Sequence, residues 1–278
     1  GDELLRMGAS MRDAMVADLL RIEGCSVSAA TCARASALPS GARSVRALAG
    51  ESAAAFVARQ AALHDVVWLV APETDGLLTR LHSAVAPTRW LGCDAASIAL
   101  ASSKRATSEH LAARGVLTPL AFANDPSTRR WVSKPDDGAG ALNTHVHADM
   151  SAARDHAGAT VVIEPWVEGS AMSLSLLCRP GHVELLCVNR QHIGIDAQGH
   201  VAFEGVSIDR EADSGAFEPV ARSVALAIPG LRGFVGVDVV WHERRGPVVI
   251  EVNPRPTCAY VGLSAALGRN LAAELPAA

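Results

Sequence analysis

Aromatic side chains are scarce in this chain of 278 residues, at 4% of positions, and tyrosine occurs once, at Tyr260. Charged residues are also few, at 19%, and the formal net charge is only −4. A small negative charge gives no electrostatic reason to expect binding to nucleic acid or to an anionic membrane. The basic residues are scattered, so the pair Arg244 and Arg245 is interpreted as a solvated turn and not as a binding patch.

Long apolar runs and paired cysteines are also missing. No stretch approaches the roughly 18 uninterrupted apolar residues that a membrane-spanning helix needs, and no signal-peptide pattern is visible. The six cysteines form no C-x-x-C pair and have no histidine at metal-site spacing, which is typical of reduced, mostly buried thiols. We therefore expect a soluble cytoplasmic protein, and the chain length predicts two or three lobes.

The first third of the chain has the pattern of βα units. Apolar periodicity predicts a helix over 2–22, and the alanine-rich stretch 44–63 is helical in character. The sequence VVWLVAPETDG, residues 66–76, predicts a buried strand followed by a loop, in a mostly parallel sheet. Ligands bind beyond the carboxyl ends of such strands, so Glu73–Gly76 is a candidate substrate loop; a helix N-cap at this point is an equally good interpretation.

The rest of the chain has an α+β pattern. One helix is predicted over roughly 94–114, and a strand over 130–134 leads into the loop KPDDGAG. Lobe boundaries are expected near 95–115 and near 165. Further strands are predicted at 160–164, 172–178, 183–191, 233–241 and 247–253, with helices near 149–157 and 216–227.

The last predicted strand, in VVIEVNPRP (248–256), carries polar residues inside an apolar run. If the hairpin that joins it to 233–241 turns between Arg244 and Arg245, Asp238 lies opposite Glu251, and alternation puts Asn253 on the same face. Two facing carboxylates between apolar strands need a shared proton or a cation, and this oxygen donor set suits Mg²⁺ or Mn²⁺. The alternative is a solvated hairpin face, and a register slip of one residue would remove the pairing.

Groups suited to phosphate and to a flat ligand occur upstream. Mg²⁺ with few protein ligands usually takes the others from phosphate and water. Lys134 ends a strand before Gly138–Gly140, whose glycines allow backbone N–H groups to approach phosphate oxygens. After 160–164, Pro165 ends the strand ladder and leaves backbone groups free for a ligand edge. Taken singly, the glycine loop is also compatible with an ordinary turn, and the segment after Pro165 with a linker. Lys104, a second lysine on the predicted helix 94–114, is by itself compatible with a solvated helix position.

Taken in order, these motifs resemble the ATP-grasp superfamily of carboxylate–amine ligases over roughly 95–278. The stretches APETDG, KPDDGAG, EPWVEGSAMSLSLL, VNRQ, AIPGLRGFVGVDVV and VVIEVNPRPTCAYVGLSAALG are most similar to the tyramine–glutamate ligases of methanofuran biosynthesis. The resemblance implies an α/β and α+β protein with the ATP-grasp fold. It divides the chain into an N-terminal Rossmann-like lobe (1–94) and two α+β subdomains that sandwich ATP (95–165 and 166–278).

The resemblance also implies a role for individual residues. Those expected at the ATP phosphates are Lys104, Lys134 and the lid residues Gly138, Ala139 and Gly140. Those expected at the adenine and ribose are Glu164, Trp166, Val167, Val240, Asn189 and His192. Those expected to bind Mg²⁺ or Mn²⁺ are Asp238, Glu251 and Asn253, while Arg255 and Lys134 would act catalytically on an acyl phosphate.

Two departures from the family pattern are visible. The acidic residue that related ligases often place before the 172–178 strand is replaced by Ala171 or Met172, and the usual first strand with its glycine-rich turn is not found. The implied substrates are small molecules, a carboxylic acid such as glutamate and a tyramine- or tyrosine-like amine, and a homodimer is possible. A ligase for another amino-acid or pterin-cofactor acceptor and a non-catalytic ATP-binding protein are the alternatives. Tyr260 is expected either in the acceptor pocket or in packing.

Overall fold

The computed structural model describes residues 2–208 and 214–275. The front lobe contains α1 (Asp2–Leu19), β1 (Ser28–Ala30), β2 (Arg43–Val45), α2 (Ala53–Ala61), β3 (Val67–Trp68), α3 (Leu77–Ser83) and β4 (Trp90–Leu91). In the described part of the chain, no helix is both long and apolar enough to cross a membrane. Of the cysteines, Cys25 and Cys32 are exposed, so the expectation of mostly buried thiols holds for only part of the set.

The parallel pairing predicted for the front lobe is present, but in two separate pieces. Strand β1 pairs with β2, and β3 pairs with β4, each in parallel. The predicted buried strand that began at 66 is a strand only over Val67–Trp68. Its hydrogen-bonded neighbour among the described strands is β4.

The helix predicted over 94–114 is in fact two helices, α4 (Ala95–Ala101) and α5 (Lys104–Ala112). The break falls at Ser103, whose hydroxyl accepts a hydrogen bond from the Ala106 N–H and so caps the start of α5. The same hydroxyl lies 2.9 Å from a carboxylate oxygen of Asp136. The break makes Lys104 the first residue of α5 instead of an interior residue of one longer helix.

We expect the Ser103→Ala variant to be destabilised by about 1 kcal/mol, because it loses an N-cap. The variant also loses the hydrogen bond to Asp136 beside Lys104. Urea unfolding monitored by circular dichroism measures the change. As a control, Ser36→Ala alters an exposed serine that caps none of the described helices, and equal stability of the two variants would contradict the assigned cap.

Two antiparallel sheets form the rest of the molecule. The smaller contains β5 (Trp131–Pro135), β6 (His145–His147) and β7 (Val161–Pro165) in the order β6-β5-β7, with α6 (Met150–Arg154) beside it. The larger has the order β10-β9-β8-β11-β12. Its strands are β8 (Ser170–Arg179), β9 (His182–Ile195), β10 (Val201–Ile208), β11 (Gly233–His242) and β12 (Gly246–Asn253), followed by α8 (Leu263–Leu267), and α7 (Ser214–Ala227) precedes β11. Strand β10 was not predicted.

The β11–β12 hairpin confirms the predicted pairing of Asp238 with Glu251, but the turn differs from the one assumed. His242 pairs with Gly246, so the turn is centred on Arg244, and Gly246 has a φ of 73°. A left-handed glycine is typical of a three-residue hairpin loop. The register then shifts between Asp238 and Val239, because Ile250 is an extra residue in β12. This bulge restores the pairing that the shorter turn would otherwise have removed.

Strand β11 separates the core of the molecule from the cavity described below. Val237 and Val239 are fully buried on one face, against Leu174 and Leu176 and against residues of the front lobe. Alternation places Asp238 on the opposite face. Burial of the valines therefore fixes the direction in which the carboxylate points.

Candidate functional site

A cavity of about 830 Å³ lies between the front lobe and the two antiparallel sheets. Of the fifteen residues named above as ligands or catalytic groups, thirteen line it. They are Lys104, Lys134, Gly138, Ala139, Gly140, Glu164, Trp166, Val167, Asp238, Val240, Glu251, Asn253 and Arg255. The fold therefore brings charged groups that are widely separated in the sequence to the wall of one cavity.

The carboxylates of Asp238 and Glu251 face one another on the floor of this cavity. Gln191 Nε2 donates to Asp238 Oδ1 at 3.0 Å, and Asn253 Nδ2 lies 3.3 Å from Oδ2. Burial, together with the negative charge of Glu251, raises the pKa of Asp238 to about 7. The two negative charges therefore destabilise one another, and a cation bound between them would remove this repulsion.

The residues present fit a hard divalent cation bound largely by other ligands. Among the described residues, no three His, Cys, Asp or Glu side chains are placed to hold a metal ion. The set here is instead two carboxylates, Asp238 and Glu251, with the amide of Asn253. Such a set suits Mg²⁺, which keeps several waters and is commonly held by one or two carboxylates plus substrate phosphates.

Lys104 reaches this acidic pair from the start of α5. Its Nζ lies 3.2 Å from Glu251 Oε1 and donates to the Gly138 carbonyl at 3.1 Å. It is 9% exposed, so the interpretation as a solvated helix lysine is wrong. Its ammonium group connects the carboxylates to the glycine loop, where a phosphate chain would also need a cation.

Lys134 and Glu164 form a second buried ion pair in the cavity wall. Lys134 Nζ lies 2.5 Å from Glu164 Oε1, and the residues are 6% and 4% exposed. They stand on the neighbouring strands β5 and β7, on the same face. The pairing neutralises both charges until a ligand offers either group another partner.

The glycine loop touches the front lobe. The Asp75 N–H donates to Asp137 Oδ2 at 2.7 Å. Gly138 has a φ of 114°, which disfavours other residues there, and a Cβ atom would lie 3.5 Å from the Thr74 hydroxyl. The loop Glu73–Gly76, which the sequence marks as a candidate substrate loop, thus lies against the proposed lid, Gly138–Gly140.

The segment after β7 corrects one part of the adenine prediction. The Trp166 N–H donates to the Arg130 carbonyl at 3.0 Å, so it is already engaged and only the carbonyl of Trp166 remains to meet a ligand edge. Val167 is buried beside Phe122 and Val248, with Val240 packed against them. These residues give this end of the cavity an apolar wall suited to a flat ring.

Asn189 and His192 are not among the residues that line the cavity. Asn189 is 1% exposed, and its Nδ2 donates to the Ser173 carbonyl at 3.1 Å and the Ser175 hydroxyl at 3.0 Å. His192 is exposed and lies 3.0 Å from the Ser207 hydroxyl. The expected ribose or phosphate contact is therefore not supported at either position, and β9 presents Gln191 and Ile193 to the cavity instead.

Tyr260 also lies outside the cavity lining. It is 3% exposed, its hydroxyl donates to Asp18 Oδ2 at 2.5 Å, and its ring packs edge-on against Trp68 and Phe234. Burial and the neighbouring Asp18 carboxylate raise its pKa well above the usual value. The packing alternative is the one that the structure supports.

Arg255 has a partner that the sequence did not reveal. Its Nε and Nη2 donate to the two carboxylate oxygens of Glu73, each at 2.8 Å. Burial lowers the pKa of Arg255, but the Glu73 carboxylate outweighs that effect and keeps it above the usual value. The two residues are 182 positions apart. The only sequence signal was that Glu73 directly follows Pro72 at the end of an apolar run.

Family models match both parts of the chain. A model described as an ATP-grasp domain matches residues 101–259, which is more than half of the chain, and one described as a pre ATP-grasp 3 domain matches residues 25–98. No protein of curated function matched the sequence.

Solved structures of similar fold include ligases. A protein of the ATP-grasp superfamily from Archaeoglobus fulgidus has 22% identity and a TM-score of 0.62, covering 84% of this chain and 70% of its own. The L-amino acid ligase from Bacillus licheniformis has 17% identity and a TM-score of 0.64, and the match covers 88% of this chain and 64% of that ligase. The D-alanine–D-alanine ligase from Bacillus anthracis complexed with ATP has 16% identity and a TM-score of 0.63, and the match covers 96% of this chain and 91% of that ligase. The chain spans about two thirds of the length of the first two. The expected fold is confirmed by these matches.

Proposed function

The chain belongs to the ATP-grasp family, and from that premise we propose that it is an ADP-forming ligase that joins a carboxylic acid to an amine. The observation that carries the proposal is the meeting of an acidic pair, two lysines and a buried arginine in one cavity. The acidic pair and the lysines could bind a metal-bound triphosphate, and the arginine could stabilise a charged acyl intermediate. A protein that only stored nucleotide would not need the arginine.

In the first step of the proposed reaction, the substrate carboxylate attacks the γ-phosphate of ATP, giving an acyl phosphate and ADP. Asp238, Glu251 and Asn253 would hold Mg²⁺, which supplies charge neutralisation at the phosphates. Lys104 and Lys134 lie close enough to the cavity for their ammonium groups to meet phosphate oxygens. Phosphoryl transfer depends on such preorganised positive charge more than on covalent chemistry.

In the second step, the amine displaces phosphate and forms an amide. The amine nitrogen first bonds to the acyl carbon to give a tetrahedral intermediate, after which the C–O bond to phosphate breaks and the nitrogen loses its proton to solvent. Arg255 would stabilise the negative charge on the departing phosphate and on the oxygen of the tetrahedral intermediate. The loop Gly138–Gly140 would exclude water, which otherwise hydrolyses the acyl phosphate.

For the substrates, we propose glutamate as the acid and a tyramine- or tyrosine-like amine, in the biosynthesis of a methanofuran-type cofactor. The support is the similarity of the APETDG, KPDDGAG and NPRPTCAYVG stretches to tyramine–glutamate ligases. Ligation of glutamate to another amino-acid or pterin-cofactor acceptor is the second candidate, because the ATP site is compatible with both.

The experiment is to follow ADP release with glutamate and a panel of amines that includes tyramine and tyrosine, with Mg²⁺ and ATP present. We expect ADP and the amide to form in equal amounts. ADP formation only with a different acid would contradict the proposed substrates. Formation of AMP would contradict the acyl-phosphate reaction.

A further inference from the structure

The ion pair of Glu73 and Arg255 connects the front lobe to the end of β12. Both oxygens of the carboxylate are used, each at 2.8 Å, and the residues are 2% and 8% exposed. A two-point contact of this kind fixes the plane of the guanidinium as well as its position. Arg255 lines the cavity, whereas Glu73 is not among the lining residues. Any effect of Glu73 on a ligand in the cavity would therefore act through Arg255.

The remaining donors of Arg255 are nearly all engaged. A guanidinium has five N–H groups. Two are held by Glu73, Nη1 donates one to the Pro256 carbonyl at 3.3 Å, and Nη2 donates its second to Asn253 Oδ1 at 3.4 Å. Counting the contacts with described residues, one N–H on Nη1 is left for a ligand. The guanidinium is thus held in one orientation, with a single donor in reserve.

Arg255 also has a competing partner close by. Asn253, which it contacts, belongs to the same face as the Asp238–Glu251 pair, and the negative charge of Glu251 acts on Arg255. A guanidinium freed from Glu73 would find two facing carboxylates with a single ammonium group, that of Lys104, beside them. It would then neutralise the pair that a divalent cation should occupy.

We propose that Glu73 is a positioning residue that holds Arg255 away from the Asp238–Glu251 pair, so that this pair stays available to a divalent cation and Arg255 to the reaction centre. What Arg255 does at the reaction centre rests on the proposed function, but the separation of the two charged groups does not. The front lobe therefore completes the metal site without contributing a metal ligand.

The test measures Mn²⁺ binding by electron paramagnetic resonance to the protein saturated with a non-hydrolysable ATP analogue, beside turnover. In Glu73→Gln we expect the Mn²⁺ dissociation constant to rise about tenfold and kcat to fall about tenfold. Changes of this size are typical when a residue that orients a site group, without touching the metal itself, is replaced. The KM for the amine should not change. In Glu73→Asp, which keeps the charge but shortens the reach, both shifts should be smaller and in the same direction.

The matched control is Glu51→Gln. Glu51 forms an equally close two-point pair with Arg59 in the front lobe, with both contacts at 2.7 Å and neither residue in the cavity lining. We expect wild-type Mn²⁺ binding and kcat in this variant. A similar loss of Mn²⁺ binding in Glu51→Gln would show a general effect on the lobe and overturn the proposal.

A folded Glu73→Gln variant that binds Mn²⁺ as the wild type does would also overturn it. If that variant does not fold, Glu73→Asp decides, and unchanged Mn²⁺ affinity there overturns the proposal. If the wild-type protein releases no ADP with any acid and amine, the proposed function fails. A weakened Mn²⁺ affinity in Glu73→Gln would still support the role of Glu73.

Discussion

We expect the Glu251→Gln variant to lose about 10²- to 10³-fold in turnover, the loss seen when one preorganised electrostatic group is removed from an active site. Glu251 is one of two facing carboxylates and lies 3.2 Å from Lys104 Nζ. The amide keeps the shape but not the charge, so the cation would be left with a single carboxylate. The measurement is the rate of ADP release at saturating ATP and Mg²⁺.

The fold should tolerate this change. The change removes the repulsion between Glu251 and Asp238 but also the charged partner of the buried Lys104, and because these two effects oppose one another we expect an unfolding temperature close to that of the wild type. Glu243→Gln, in the exposed turn of the same hairpin, is the control and should keep full activity. Wild-type turnover in Glu251→Gln would exclude the assignment of this residue to the metal site.

Replacement of Arg255 is expected to affect stability and activity separately. Arg255→Ala leaves the buried Glu73 carboxylate without its partner, which typically costs about 3–5 kcal/mol of unfolding free energy. Arg255→Lys keeps a positive charge but cannot make the two-point contact. We therefore expect the lysine variant to fold but to lose about 10²-fold or more in turnover. Urea unfolding and ADP release measure the two effects.

A double variant distinguishes the two roles of this arginine. In Arg255→Met with Glu73→Leu, neither charge is buried, and we expect most of the stability lost in Arg255→Ala to return. Turnover should stay as low as in Arg255→Lys or fall further. Equal stability of Arg255→Ala and the wild type would mean that the pair is not buried as the structure has it.

The sequence was most informative where a function depends on neighbouring residues. Alternation along β12 was enough to place Glu251 and Asn253 on one face, and the pairing of Glu251 with Asp238 needed only a short hairpin. Local patterns also marked Lys134 and the loop Gly138–Gly140. Each of these conclusions involves residues that are close in the chain or on paired strands, so a periodicity argument can reach them.

The sequence was least informative about contacts between residues that are far apart in the chain. Nothing near Arg255 indicates that Glu73 is its partner, because that contact depends on how the front lobe packs. The break at Ser103 was missed because small residues on both sides suit a continuous helix. His192 lies beyond the strand predicted over 183–191, because β9 continues to Ile195, and periodicity alone does not say which face of the strand meets the cavity.

Ile250 is an extra residue in β12, opposite the step from Asp238 to Val239. Deleting Ile250 alone would leave Glu251 opposite Asp238, because Val249 pairs with Val239 and Glu251 would then follow Val249 directly. The deletion would remove the bulge and the additional local twist that a bulge gives a strand. The curvature of the hairpin can thus be changed in protein engineering while the two carboxylates remain in register.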